Sequence, residues 1–313
     1  MKRRDFLGNA GLAAGALLLP SSIVGSSRSG FLRYADNKLS GVRIGVISYS
    51  FRSMPGKAED ILGYLVKLGL NTVELMGGPV EEYAGAPKGP EWKQGDLTEA
   101  EKAERATYKK EIAKWRTSVK MDKFKELRKK YNDQGVEVDI VKLGMDKGTP
   151  EEIDYTFNVA RAMGARGITL ERSDEAMKTL GPYADKHKIM VGYHNHTEVK
   201  FTSWDAGLAA HKYNAINLDV GHYVAGTNES PIPLIKKYSD RILNLHLKDR
   251  KKNNGDNMVW GEGDTPLREI LQLMKKEKYN FMAAIELEYP IPEGSNAVTE
   301  VERCIAFCKE ALA

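Results

Sequence analysis

The chain has 313 residues, 42% of them hydrophobic and 29% charged, which is ordinary globular composition with length enough for one large core. Its 47 basic and 43 acidic residues leave a formal charge of +4, and the most basic stretches, around Lys109–Lys130 and Lys248–Lys252, are interleaved with Glu and Asp. That balance excludes a nucleic-acid footprint and a membrane-surface protein as partners.

In chain order, the first segment stands apart. Lys2-Arg3-Arg4-Asp5-Phe6-Leu7-Gly8 is followed by the uncharged run Ala10–Leu19 and then by Pro20-Ser21-Ser22. A charged start, a short apolar segment and small polar residues make a signal peptide of residues 1–30, too short for a comfortable membrane span. The paired arginines before Phe-Leu resemble the twin-arginine signal, which implies export of an already folded protein to the periplasm. Residues 31–313 are expected to form one domain, not an integral membrane protein.

Period-2 alternation followed by helical patterning then recurs eight times. Strands are expected to begin near Val42, Thr72, Val136, Gly167, Ile189, Ile216, Ile242 and Phe281. Most intervals are about 23–39 residues, near the ~30 expected when ~250 residues make eight βα units. Helices are expected over Ala58–Lys67, Asp122–Tyr131, Glu151–Ala162, Asp174–His187, Trp204–His211, Pro231–Tyr238, Pro266–Lys278 and Val298–Leu312. Alternation at this period predicts an α/β fold, a single (β/α)8 TIM barrel. One interval is too long. Residues 79–121 are an insertion after the second strand, with Pro87, Gly89, Pro90 and Gly95 and then a charged helix, Glu99–Val119, containing Trp115. It emerges at the face where barrel enzymes build their sites, so it is either a lid or substrate-side wall, or a surface helix or oligomer contact. Cys304 and Cys308 sit four apart on the last helix, where a bridge would close almost no loop, so buried thiols are expected.

Alternation also predicts which way side chains point. Leu243, Leu245 and Leu247 oppose Asn244, His246 and Lys248; Ile216, Leu218 and Val220 oppose Asn217 and Asp219. Ile285 and Leu287 oppose Glu286 and Glu288; Ile168 and Leu170 oppose Thr169 and Glu171; Val191 opposes Gly192, His194 and His196. Five consecutive strands thus turn ionisable groups inward at their C-terminal ends. Burying so many charges without a shared partner is costly, and a bound cation is the simplest remedy. Carboxylates with imidazole suit one divalent ion of Mn, Co, Zn or Fe better than Ca. Four of the six histidines, His194, His196, His222 and His246, fall at expected strand ends, whereas His187 and His211 read as surface residues.

Leu218-Asp219-Val220-Gly221-His222, Leu245-His246-Leu247-Lys248-Asp249, Gly261-Glu262-Gly263-Asp264 and Ala284-Ile285-Glu286 together resemble the sugar phosphate isomerase/epimerase family, the xylose isomerase-like TIM barrels, over roughly Val42–Leu312. The resemblance implies that Asp219, His246 and Glu286 hold the metal. Where many members carry a Glu in a Glu-Asn-His context, this chain has His194-Asn195-His196, so His194 takes the fourth place, with Glu171 the carboxylate alternative. That variant is similar to relatives of inosose dehydratase and of 3-keto-glycoside eliminases or hydratases. The chemistry implied is that of a metal-dependent sugar isomerase or epimerase working through a metal-stabilised enediolate, with a carbon–oxygen lyase as the alternative and a non-catalytic sugar-binding barrel as a second. Glu171, His196, His222 and Lys248 are the proton-transfer and oxyanion candidates; Glu74, Trp260 and Glu288 are the expected sugar-pocket residues. No P-loop spacing, Gly-x-Gly-x-x-Gly or Gly-x-Ser-x-Gly context is present, so neither a nucleotide cofactor nor a phosphorylated substrate is inferred. The expected partner is a small-molecule sugar, with a homo-oligomer left open.

Overall fold

A computed structural model describes residues 38–90 and 95–313; the expected signal peptide lies outside the described residues. Eight parallel strands pair in chain order and close into a barrel: β1 (Ile44–Ile47), β2 (Thr72–Met76), β3 (Glu137–Lys142), β4 (Gly167–Glu171), β5 (Met190–His194), β6 (Asn214–Asp219), β7 (Ile242–Leu247) and β8 (Met282–Ile285). The β8–β1 pairing that completes the circle runs from Ile44↔Ala283 to Val46↔Ile285. Around it lie α1 (Ala58–Leu68), α2 (Gly77–Tyr83), α3 (Glu99–Ser118), α4 (Asp122–Asp133), α5 (Pro150–Met163), α6 (Asp174–His187), α7 (Asp205–Ala210), α8 (Val220–Thr227), α9 (Ile232–Lys237), α10 (Leu267–Glu277) and α11 (Ala297–Leu312). Among the described residues no helix is long and apolar enough to cross a membrane.

Local chemistry sets the helix ends. α5 opens on Thr149, whose hydroxyl accepts the Glu152 amide while Glu152 reaches back, with Pro150 in the first turn; it stops at Gly164, at φ 74°. α10 turns Leu267, Ile270, Leu271, Leu273 and Met274 into the core, the spacing of one helical face. Cys304 and Cys308 are free and buried on the matching face of α11.

The barrel floor departs from simple alternation. β6 pairs Ile216 with Ile242 and then Asn217 with Asn244, so Leu243 is bulged. Leu243 therefore joins Ile140, Ala215, Met282 and Ala284 in a separate interior cluster, instead of facing the helices with Leu245 and Leu247. An added Cβ at Gly167 or Gly192 would meet Leu243 Cδ2 at 2.6 or 3.0 Å, which is why small residues stand there. A second bulge in β3 leaves Asp139 unpaired with β2. Arg166 ties the two bulges together: its guanidinium donates twice to the fully buried Asp139 carboxylate, at 2.6 Å each, and once to the Leu243 carbonyl at 3.3 Å. Arg43 adds a 3.2 Å bond. Arg166→Leu leaves that carboxylate with one partner and is expected to cost about 3 kcal/mol, read as a lowered denaturation midpoint with unchanged slope. An unmoved midpoint would show that the clasp is dispensable.

The long helix of the insertion, α3, packs against its neighbours α4 and α5. Trp115, near the end of α3, packs edge-on to Tyr155 at 6.1 Å and against Phe124 at 6.5 Å. Arg116 makes a bidentate pair with Glu81 at 2.7 and 3.0 Å. These contacts dock α3 on the outer helical ring, through α4 and α5.

Candidate metal centre and its rim

Above the apolar floor the interior becomes polar. Asp219 ends β6 and caps α8, its Oδ1 accepting the His222 amide at 2.7 Å. Asn195 locks it from the side, accepting the Asp219 amide at 2.9 Å and donating to its carbonyl at 3.1 Å. That leaves Oδ2 to face inward. His194, the last residue of β5, gives Nδ1 to Glu171 at 2.9 Å and points Nε2 toward Asp219 Oδ2, 3.6 Å away. His246 on β7 gives Nε2 to Glu74 at 2.7 Å, and its Nδ1 lies 3.1 Å from Glu286 Oε2, just past β8.

His194, Asp219, His246 and Glu286 are all buried, and one ligand atom of each lies within 4.8 Å of the others. One atom of each, His194 Nε2, Asp219 Oδ2, His246 Nδ1 and Glu286 Oε2, is buried without an aligned hydrogen bond. Buried polar atoms are rarely left so. Two imidazoles and two carboxylates from four strands are the donor set a divalent transition metal takes, so the residues fit the expected ion. His194 belongs to this set. Glu171 stands behind it, and also groups with His194 and His196 at the rim.

Two carboxylates hold the two imidazoles by their far nitrogens, which fixes ring orientation and tautomer. Glu74 is completely buried; Thr169 Oγ1 and Asn244 Nδ2 donate to it as well as His246. Expected to line the sugar pocket, Glu74 is found fully buried with its carboxylate on His246. Glu171 is half-exposed, and both its oxygens are engaged: Oε1 by Lys142 at 2.8 Å, Oε2 by His194 and His196 at 2.9 Å each. Burial would raise its pKa, but the two histidines and Lys142 hold it well below the usual carboxylate range.

Lys248 is the hub of the other side. Its ammonium lies 2.9 Å from Asp219, 3.0 Å from Glu286 and 2.5 Å from Glu288. The first two approaches are close enough for ion pairing but not aligned for hydrogen bonds, since both oxygens stay unbonded. Although burial opposes it, Asp219, Glu286 and Glu288 hold the lysine protonated. Burial would also raise Asp219, which Lys248, His222 and His194 keep far down, and Glu286, which His246 and Lys248 keep down. His246 is driven up to about 10 by Glu286 and Glu74 against the effect of burial.

His222 is not at a strand end, because the Asp219 cap starts a helix there; it sits in the first turn of α8. Its Nε2 is 3.0 Å from Lys248 Nζ and its Nδ1 2.6 Å from Arg250. Burial, aided by Lys248, pushes its pKa down to about 4. His196 lies in the loop after β5; the Glu171 contact raises its pKa over the opposing effect of burial. Trp260 packs edge-on against Phe307 of α11, ring centres 5.7 Å apart. His187, expected at the surface, stacks on Phe157 at 4.8 Å and bonds Asp154.

Sequence reasoning missed Lys142, Arg250 and Asn195. Lys142 was visible as the inward partner of Ile140 across Val141; the other two act through loop geometry. Asp249 was passed over as well. Its buried carboxylate accepts the amides of Gly261 at 2.8 Å, Gly263 at 3.0 Å and Thr265 at 3.2 Å, clasping the long loop after β7.

Comparison with known proteins places this geometry among relatives. Residues 62–310 match the sequence model of the family described as xylose isomerase-like TIM barrel. An inosose dehydratase of Clostridium beijerinckii is 25% identical over 138 residues, 42% of this chain and 38% of that protein, so the chain matches well under half of its relative's length. A probable 3-DHS dehydratase of Bacillus anthracis shares the fold at TM-score 0.59 with 14% identity, over 84% of this chain and 98% of that one. A sugar phosphate isomerase/epimerase of Parabacteroides distasonis does so at 0.56 with 16% identity, over 86% and 94%.

Proposed function

Because the chain belongs to the xylose isomerase-like TIM barrel family, we propose that it is a divalent-metal-dependent sugar isomerase or epimerase that removes a proton beside a carbonyl. The observation that carries this reading is the convergence of four buried, hydrogen-bond-free donor atoms. His194, Asp219, His246 and Glu286 would hold the ion, which supplies Lewis acidity to a carbonyl and its neighbouring hydroxyl.

The rest falls to the protein. With Nε2 tied to Glu171, His196 has Nδ1 free at the open rim, and serves as the base that takes a proton from carbon and later returns it. Glu171 keeps that ring oriented. Lys248, protonated and buried, steadies negative charge developing on the substrate oxygen. His222, neutral, accepts from the Lys248 ammonium at Nε2 and so helps to hold it in place.

The second reading, a carbon–oxygen lyase, is favoured by the His194-Asn195-His196 sequence and by similarity to a dehydratase. Both readings begin with the same proton removal. NMR in D2O of the metal-loaded protein with ketoses, inososes and 3-keto-glucosides separates them. Deuterium entering one carbon of an intact sugar marks isomerisation or epimerisation; loss of water or an aglycone marks the lyase. No exchange with any of the three would overturn the proton-abstraction reading.

Glu74→Gln should weaken Mn2+ or Co2+ binding by about 10–100-fold, the usual effect of losing a ligand's orienting partner. Calorimetric titration of the purified chain checks this, and wild-type affinity would refute the role given to Glu74. We also propose periplasmic export through the twin-arginine route. Exchanging both Arg3 and Arg4 for Lys should retain the protein in the cytoplasm, and an undiminished periplasmic yield on fractionation would point to another route.

A further inference from the structure

β1 carries no ionisable residue, yet the chain just after it reaches both neighbouring strands. Ser48–Phe51 form a single 3₁₀ turn, and its two serines face opposite ways. Ser48 Oγ accepts the amide of Met76, the last residue of β2, at 3.0 Å. Ser50, which is buried, accepts the Leu287 amide at 3.0 Å and donates to the Ile285 carbonyl at 3.1 Å. Those two groups flank Glu286. A residue on a parallel strand makes this same pair of bonds, with the residues before and after the one it faces. The β1–β8 ladder stops at Val46↔Ile285, so beyond that point one hydroxyl stands in for a missing strand partner of Glu286. From the other side β7 holds the same residue, the Glu286 amide donating to the Leu247 carbonyl at 3.0 Å. Arg52 adds a 2.6 Å bond to the Leu287 carbonyl. The backbone carrying Glu286 is thus fixed from both flanks, although it lies past the end of β8. Its Oε2 stands 3.1 Å from His246 Nδ1, and such constellations must be held to within about 0.5 Å.

We propose that Ser50 is a positioning residue for the metal centre: its hydroxyl sets where Glu286 stands, so the turn after β1, which supplies no ligand, governs how tightly and in what geometry the ion is held. The inference rests on Glu286 being a ligand. Without the hydroxyl the Leu287 amide loses its partner inside the protein, and the segment must shift to find another. Ser50→Ala should therefore weaken Co2+ binding by about 10–100-fold, as loss of a ligand's support does. It should also change the visible absorption of the cobalt-loaded protein, which reports how the ligands are arranged around the ion. Calorimetric titration and absorption spectra of the purified full chain read the two effects. A merely structural serine would lower the denaturation midpoint of the metal-free chain and leave the Co2+ affinity and spectrum as in wild type; that result overturns the proposal. Should Ser50→Ala fail to fold, Arg52→Met at an exposed position carries the test. It should loosen Co2+ by about two- to tenfold, the worth of one hydrogen bond, and wild-type affinity with a wild-type spectrum there is equally fatal. Glu286→Gln separates the two levels. If it keeps the metal, the ligand assignment fails and the role of Ser50 with it; if it loses the metal while Ser50→Ala binds as wild type, only the role of Ser50 falls.

Discussion

Asp219→Asn should yield a folded protein that has lost its divalent metal. Asparagine is as good a helix cap as aspartate, so α8 and the Asn195 clasp survive the change. What is removed is the charge of the one oxygen aimed at the donors of His194, His246 and Glu286. Metal affinity should fall by more than about a hundredfold, beyond the range for loss of an orienting partner, and turnover should fall with it. Glu286→Gln should behave alike. Elemental analysis after dialysis, paired with circular dichroism, decides the matter: full metal content in both folded variants would mean that the ligand assignment is wrong.

His196→Ala should lower turnover by about 10²–10⁴-fold, the range for loss of a general base, with metal content intact because His196 lies outside the converging four. The pH profile supplies the sharper test. A base must be neutral to act, and the Glu171 contact raises the His196 pKa above its ordinary value. Activity should therefore rise with pH through an acid limb lying above the ordinary histidine range. Glu171→Gln removes the carboxylate that holds the proton on, so the limb should move to lower pH while the plateau drops. Because Glu171 also orients His194, the profile is measured at saturating metal. An unmoved limb, or wild-type exchange in His196→Ala, would assign the proton transfer to another group.

The barrel was legible because its signal is repetitive: eight apolar alternations set off by helices, each strand within a few residues of its expected start. The inward face of β5 to β8 was legible for the same reason. Alternation failed at Leu243, where a bulge spends one residue without advancing the register, and at Val220, where the Asp219 cap ends the strand earlier than apolar periodicity suggests. Glu74 and Trp260 were expected to line the sugar pocket, whereas Glu74 is buried against His246 and Trp260 packs on Phe307, since depth along a strand and direction in a loop depend on partners far away in sequence. Lys142 is the plainer omission. Its inward side was readable, but an isolated lysine at a strand end looks like surface until Glu171, 29 positions away, is seen beside it.

The Asp249 clasp has a bearing on how such a protein changes over generations. The candidate metal donors lie on or beside strands of the barrel, whereas the loop after β7 hangs from one carboxylate and three backbone amides. Within residues 251–259, Gly255 O holds the Arg250 guanidinium and Asn253 pairs with Asn228, so those two points tie the loop to the site side while its remaining side chains carry fewer such bonds. Change in that loop is therefore partly separable from change in the strands that carry His194, Asp219 and His246.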